Sequence, residues 1–191
     1  MKKKKDFLKQ FFKERKKVGA VSPSSKFLAK KMLENIDFSK TKTLVELGPG
    51  TGVFTRKIIK KMAPDAKLLI FELHTPFYKQ LKTEFKDDKR VILIHDNAER
   101  INYYFKKHEL ETTDAVISSL PLANFKKDTI KSILQNMHDS LTENGLYIQF
   151  QYSLKSKKQL ESVFSDISVK FTPRNIPPAF IYTCRKNKSN S

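Results

Sequence analysis

Tryptophan is absent from this chain, cysteine occurs once, at Cys184, and glycine only five times in 191 residues. A lone cysteine excludes an intramolecular disulfide, so packing alone must hold the fold, and the chain suits a reducing compartment. The histidines at 74, 95, 108 and 138 show no ligand spacing, and no metal is expected. No apolar run approaches the roughly 20 residues that cross a bilayer, and the lysine-rich start lacks the apolar stretch of a secretory signal. Acidic residues are scarce too. Twenty Asp and Glu stand against 38 Lys and Arg, and the formal charge of +18 predicts a polyanionic partner, nucleic acid or an anionic membrane surface. With 39% hydrophobic and 30% charged residues the composition is otherwise globular, enough for one domain and little more.

Basic charge is densest at the start, where residues 1–17 hold nine Lys or Arg against Asp6 and Glu14. Phe7, Leu8, Phe11 and Phe12 recur there at helical spacing, which predicts a short basic amphipathic helix. Taking that segment away from 38 basic and 20 acidic residues leaves 29 and 18, so the body is basic as well. Ser22-Pro23-Ser24-Ser25 then offers a helix cap with proline in the first turn, and a second helix is expected from about Pro23 to Asn35. From Thr43 onward short apolar runs alternate with amphipathic stretches, the pattern of β-α units around a mostly parallel sheet. Strands are expected near 43–47, 67–71, 91–94, 114–118, 145–151, 167–171 and 180–184. Helices are expected over Val53–Met62, Pro76–Phe85 and Thr129–Leu141, with Asn144-Gly145 as the stop before the fifth strand. The reading is a seven-stranded α/β domain over 36–185, helices on both faces, with 186–191 a disordered tail.

Three of the five glycines fall within Val45-Glu46-Leu47-Gly48-Pro49-Gly50-Thr51-Gly52, between an expected strand and an expected helix. Residues without Cβ let the chain turn tightly and let a ligand approach its N–H groups beside a helix N-terminus. Glu72, 20 residues beyond Gly52 and at the end of the second strand, suits ribose hydroxyls, with Leu73 beside it. A dinucleotide turn would carry Gly or Ala at position 53, where this chain has Val53, so S-adenosylmethionine fits better than NAD. In the same logic Glu46 faces the methionine ammonium, and Asp96, with Asn97 and Ala98, meets the adenine.

The glycine turn, Glu72 and the Asp96-Asn97-Ala98 step together resemble the class I S-adenosylmethionine-dependent methyltransferases, a Rossmann-like fold. More narrowly, the runs Val18 to Ser25, Gly50 to Thr55, Ser118-Ser119-Leu120-Pro121-Leu122 and Asn175-Ile176-Pro177-Pro178-Ala179 resemble those of bacterial phospholipid N-methyltransferases. The resemblance implies phosphatidylethanolamine or its methylated forms as substrate. It also implies a cytoplasmic enzyme peripheral on the inner face of the membrane, with residues 1–35 as a membrane and substrate cap. Aromatics entering the headgroup layer while lysines meet anionic lipid would serve that role.

Methyl transfer to an amine asks mainly for alignment and desolvation, and an alkylammonium must first lose a proton. Tyr152, past the fifth strand, is the candidate for orienting the amine. Ser118 and Ser119, at the end of the fourth strand, should border the transferred methyl, and Arg174 is the candidate for a lipid phosphate. A rival reading is an rRNA adenine dimethylase, whose Asn-Leu-Pro-Tyr loop the stretch after strand four also resembles. Its asparagine is Ser119 here and its stacking aromatic is Leu122, and the chain ends without those enzymes' extra helical domain. A third reading is a non-catalytic nucleotide-binding module.

Overall fold

The computed structural model describes residues 23–187. The expected amphipathic helix of 1–17 and the stretch 188–191 lie outside the described residues. In chain order the elements are α1 (Pro23–Met32), β1 (Thr43–Leu47), α2 (Val53–Lys61), β2 (Lys67–Phe71), α3 (Thr75–Glu84), β3 (Val91–Ile94) and α4 (Ile101–Lys107). Then follow β4 (Thr113–Ser118), α5 (Lys127–Ser140), β5 (Leu141–Gln151), α6 (Lys157–Glu161), β6 (Asp166–Thr172) and β7 (Ala179–Arg185).

The strands form one sheet in the order β3-β2-β1-β4-β5-β7-β6. Pairing is parallel from β3 across to β5, while β7 runs antiparallel to both β5 and β6, so β7 alone is reversed. Strands covered on both faces need apolar side chains at successive positions, and Leu68-Leu69-Ile70-Phe71 supplies such a run, every residue buried. Against one face α1 and α2 pack Leu28, Ala29, Met32, Phe54 and Ile58 onto Leu44, Leu68, Ile70 and Ile148. Against the other, α4 and α5 pack Ile101, Phe105, Ile133, Leu134 and Met137 onto Val45, Leu47, Leu69 and Tyr147. The chain returns from β3 past two strands to lay β4 beside β1. The order of strands reverses there, and in open sheets of this kind ligands bind at the carboxyl ends of such neighbours.

Two expectations need correction. The helix expected to Asn35 stops at Met32, and Leu33 begins a turn closed by Ile36 N–H on the Leu33 carbonyl. Lys31 and Lys170 both hold Glu34, and Asn35 reaches toward Thr183, so tertiary contacts override helical propensity here. Asn144-Gly145 does not precede the fifth strand but lies inside it. β5 begins at Leu141, and the register against β4 jumps from Thr113↔Leu141 to Ala115↔Leu146. Asn144 takes the left-handed conformation (φ 62°) that this irregularity requires. The helices α4 and α6, seven and five residues long, were not foreseen.

Cys184 is fully buried in β7, and burial, with Asp166 adding to it, pushes its thiol up to about 12. A buried, protonated thiol is inert. In native buffer a thiol-disulfide exchange reagent should therefore label Cys184 only at the rate at which the sheet opens, and rapidly in denaturant. Labelling as fast as a free thiol without denaturant would mean that β7 is not docked as described.

Candidate active site

The carboxyl ends of β1, β2, β3 and β4 carry most of the residues picked out in the sequence. After β1 the chain turns through Gly48 (φ 65°), Gly50 (φ 59°) and Gly52 (φ 80°), all left-handed. At Gly52 and Gly48 an added side chain would also crowd a leucine methyl. A Cβ on Gly52 would lie 2.7 Å from Leu81 Cδ2, and one on Gly48 would lie 3.2 Å from Leu120 Cδ2. Gly48 N–H donates to the Phe71 carbonyl of β2, and Gly52 N–H to the Pro49 carbonyl within the turn. Pro49 is buried, and the Thr51 carbonyl accepts from Arg56, which also forks onto Glu84 at 2.5 and 2.6 Å.

Two buried acids flank this turn. Glu72, 1% exposed, accepts from Gly50 N–H at 2.9 Å through one oxygen and from His74 N–H at 2.7 Å through the other. Glu46, on β1 and wholly buried, accepts from the Thr55 hydroxyl at 2.6 Å. Thr55 lies in the first turn of α2, where unpaired N–H groups favour a nearby anion. Leu73, next after Glu72, is exposed, and its carbonyl meets His95 Nε2 at 3.3 Å.

Beyond β3, Asp96 accepts from Asn97 N–H at 2.7 Å, from Arg100 at 2.6 Å and from the Tyr104 hydroxyl at 2.9 Å. Burial alone would raise its carboxyl, but those donors outweigh it and hold the group below the usual carboxylate range. Asp96 is thus an anion set by Asn97 and Arg100 just after it and by Tyr104 of α4. The cap of the short turn Ala98–Arg100 is Asn97, whose side chain accepts from Glu99 N–H and donates to the Glu99 carboxylate, and Ala98 is buried beneath.

The loop after β4 closes the other side. Ser118 and Ser119 are both buried, and Ser119 N–H donates to the Leu47 carbonyl at the end of β1. Ser119 Oγ is enclosed and has no hydrogen-bond partner among the described residues. Buried polar atoms are rarely left so, and this one stands beside the glycine turn: a Cβ on Gly48 would approach the Ser119 carbonyl carbon to 3.9 Å. An enclosed acceptor, two buried carboxylates and a turn of three left-handed glycines suit a charged nucleoside ligand such as S-adenosylmethionine.

Sequence reasoning passed over the residues that fix this loop. The Leu120 carbonyl accepts from Gln149 Nε2 at 3.0 Å, from Gln151 Nε2 at 2.8 Å and from Leu122 N–H at 2.9 Å. Gln149 in turn accepts from the Tyr147 hydroxyl at 2.9 Å, whose phenol burial drives above its usual range. Gln149 and Gln151 stand two apart near the end of a strand, hence on one face, and that polar pair in an apolar run was the available signal. Tyr152, half exposed, lies on the opposite face, its ring 5.6 Å from that of Phe150, which meets Phe54 of α2. Arg174 sits further along the same edge, past β6, with its guanidinium 6.0 Å from the Phe27 ring. The structure therefore gathers Glu46, Gly48–Gly52, Glu72, Ser118 and Ser119 at adjacent strand ends, with Asp96 and Tyr152 after the flanking strands β3 and β5, and leaves Arg174 apart from them, past the edge strand β6.

This sheet, turn and pair of acids are those of a class I S-adenosylmethionine-dependent methyltransferase. Residues 11–163 match the profile of the family described as ribosomal RNA adenine dimethylase, and the chain belongs to that family. It is 26% identical over 185 residues to an ornithine lipid N-methyltransferase of Singulisphaera acidiphila, covering 96% of both chains. It is 23% identical over 144 residues to ribosomal RNA small subunit methyltransferase A of Mycoplasma capricolum, 74% of this chain but 52% of that protein. Among solved structures it resembles the N-methyltransferase NodS of Bradyrhizobium japonicum in complex with S-adenosyl-L-homocysteine, with a TM-score of 0.72 at 10% identity over 90% of this chain and 91% of that one.

Replacing Glu72 by glutamine sets an amide NH2 against one of the two backbone donors and removes the charge. Charge-assisted hydrogen bonds of this kind contribute about 1.5–3 kcal/mol each, so calorimetric titration should show cofactor affinity falling by roughly 10- to 100-fold while the fold persists. Unchanged affinity in the folded Glu72→Gln protein would contradict this placement.

Proposed function

We propose that the chain methylates the amine headgroup of a membrane lipid, with phosphatidylethanolamine and its partly methylated forms as the leading substrates. The observation that carries this reading is the loop after β4. An exocyclic adenine amine shares its lone pair with the ring and must be gripped by acceptors on its Watson–Crick edge and stacked on an aromatic face. Here the Leu120 carbonyl already takes three donors, Ser119 stands where an amide would be needed, and Leu122 is fully buried and has no π-face. An alkyl amine needs none of these. Its lone pair is localised once a proton is lost, and alignment in a dry pocket then does most of the work.

In this reading Glu72 takes the ribose hydroxyls, Glu46 the methionine ammonium, and Asp96 the adenine amino group, with Asn97, Ala98 and Leu73 beside them. The backbone of the Gly48–Gly52 turn, whose glycine N–H groups are spent on Phe71, Glu72 and Pro49, lines the same pocket without a side chain at Gly48, Gly50 or Gly52. Bound there, S-adenosylmethionine supplies the methyl group from its sulfonium. Ser118 and Ser119 border the transfer, and Ser119 Oγ accepts a hydrogen bond from the incoming amine. Tyr152 orients that amine, and its ring favours the methylated product cations. Arg174 holds the lipid phosphate. Residues 1–35 serve as the membrane and substrate cap of an enzyme on the inner membrane face; no described helix is long and apolar enough to cross a bilayer. The lipid-methylating relative, matched over 96% of its length, supports this assignment.

A second reading, transfer to adenine of ribosomal RNA, is favoured by the family profile and by the relatives that methylate that RNA.

Presented in vesicles, phosphatidylethanolamine, its mono- and dimethylated forms and an ornithine lipid should each be tested for methyl uptake. At least one should be methylated, and Tyr152→Phe should lower kcat on it while leaving cofactor affinity within about twofold, since only a hydroxyl is lost. No transfer to any of the four lipids would refute the proposal, and equal turnover in Tyr152→Phe would remove that residue's role.

A further inference from the structure

Among the described residues seven large apolar side chains are exposed, and five of them stand at one edge of the sheet. Leu73 follows β2, Tyr152 and Leu154 follow β5, Phe171 is the next-to-last residue of β6, and Ile176 lies in the loop that leads on to β7. β6 runs in the same sense as β5, so all five mark carboxyl ends, the edge at which the glycine turn and the β4 loop open. Ile176 at 75% exposure and Leu154 at 48% have no structural reason to face water, and exposed apolar groups collected on one edge mark an interaction surface.

Cations are interleaved with them. Lys155, Lys157 and Lys158 follow Leu154 and are exposed, and Arg174 lies between Phe171 and Ile176. Lys157 is paired with Glu161, whereas Arg174 has no carboxylate within salt-bridge distance among the described residues. The first turns of α1 are at the same place. Phe27 lies by Arg174 while Asn35, just beyond the helix, reaches Thr183, which pairs far down β7, so the amino-terminal end of α1 stands at this rim. Aliphatic tips among lysine and arginine match the boundary between headgroups and acyl chains, with the cations at the level of anionic phosphates. Three of the five, Leu73, Leu154 and Ile176, are aliphatic and offer a nucleobase no ring on which to stack.

We propose that the folded domain itself docks this rim, Leu73, Tyr152, Leu154, Phe171, Ile176 and Arg174, onto an anionic bilayer, so that the active-site mouth opens into the headgroup layer. The inference rests on the lipid-amine reading above and deepens it. A substrate amine then needs to rise only slightly from the bilayer to reach Ser119 and Tyr152, and its acyl chains stay in the membrane.

Leu154→Ser with Ile176→Ser, in the full chain, tests it without touching a residue assigned to cofactor or amine. Binding to vesicles of phosphatidylglycerol and phosphatidylethanolamine should weaken about 10- to 100-fold, the loss expected from exposing two aliphatic side chains. Turnover on those vesicles should fall with it. Cofactor affinity, and turnover on dihexanoyl phosphatidylethanolamine below its micelle concentration, should stay within about twofold. Ile176→Trp, which enlarges the buried apolar area, should bind the same vesicles more tightly and decides the matter if the double variant misfolds. Vesicle binding equal to the parent's in the double variant, or no tighter binding in Ile176→Trp, overturns the rim. If the parent binds vesicles through these residues but methylates no lipid, the rim stands and the substrate assignment fails. If it methylates dihexanoyl phosphatidylethanolamine while the double variant still binds vesicles fully, the substrate assignment stands and the rim fails.

Discussion

The carboxylate of Glu72 receives Gly50 N–H at 2.9 Å and His74 N–H at 2.7 Å, and so ties the turn after β1 to the chain leaving β2. A buried carboxylate is tolerated only where donors replace its lost water, and here two backbone groups do so. The tie has consequences along the edge. With Gly50 held, Gly48 lies against Leu120, and the Leu120 carbonyl is clamped by Gln149 and Gln151 from β5. Hydrogen bonds, including Gly48 N–H on the Phe71 carbonyl and Ser119 N–H on the Leu47 carbonyl, thus link the ends of β2, β1, β4 and β5 and align the glycine turn with the loop after β4. Preorganisation of this kind is what methyl transfer demands of a protein that supplies no nucleophile of its own.

Family membership fixes the chemistry more firmly than the acceptor. A fold hosts many substrates because the loops at its strand ends vary while the sheet does not. In this chain the glycines and acids of the turn are in place, and the proposal of a lipid amine rests on Ser119, Leu122 and the two glutamines. Those glutamines fix the loop by donating to the Leu120 carbonyl. The net charge of +18 suits an anionic membrane or an RNA, and the membrane proposal rests on the exposed aliphatic residues among the cations.

Legibility followed how local each signal is. β1, β2 and β3 could be read to the residue because each is a short apolar run bounded by polar turns. The glycine turn was legible because three of five glycines crowd into five positions. α4 was not, since seven residues span barely two turns and give periodicity little to repeat. Asn144-Gly145 carries an ordinary turn signal, yet the left-handed residue it supplies is spent on a register shift within β5, which only the pairing with β4 reveals. The roles of Gln149 and Gln151 were invisible for the same reason, because their partner lies 29 and 31 residues away.

The acceptor itself is the most direct test. Cofactor labelled in the transferred methyl, offered with the full chain to a mixture of anionic vesicles containing phosphatidylethanolamine and small-subunit ribosomal RNA lacking adenine methylation, should deposit its label in the lipid extract and leave the RNA unlabelled. Label in the RNA with none in the lipid would contradict the account and return the chain to the chemistry for which its family is described.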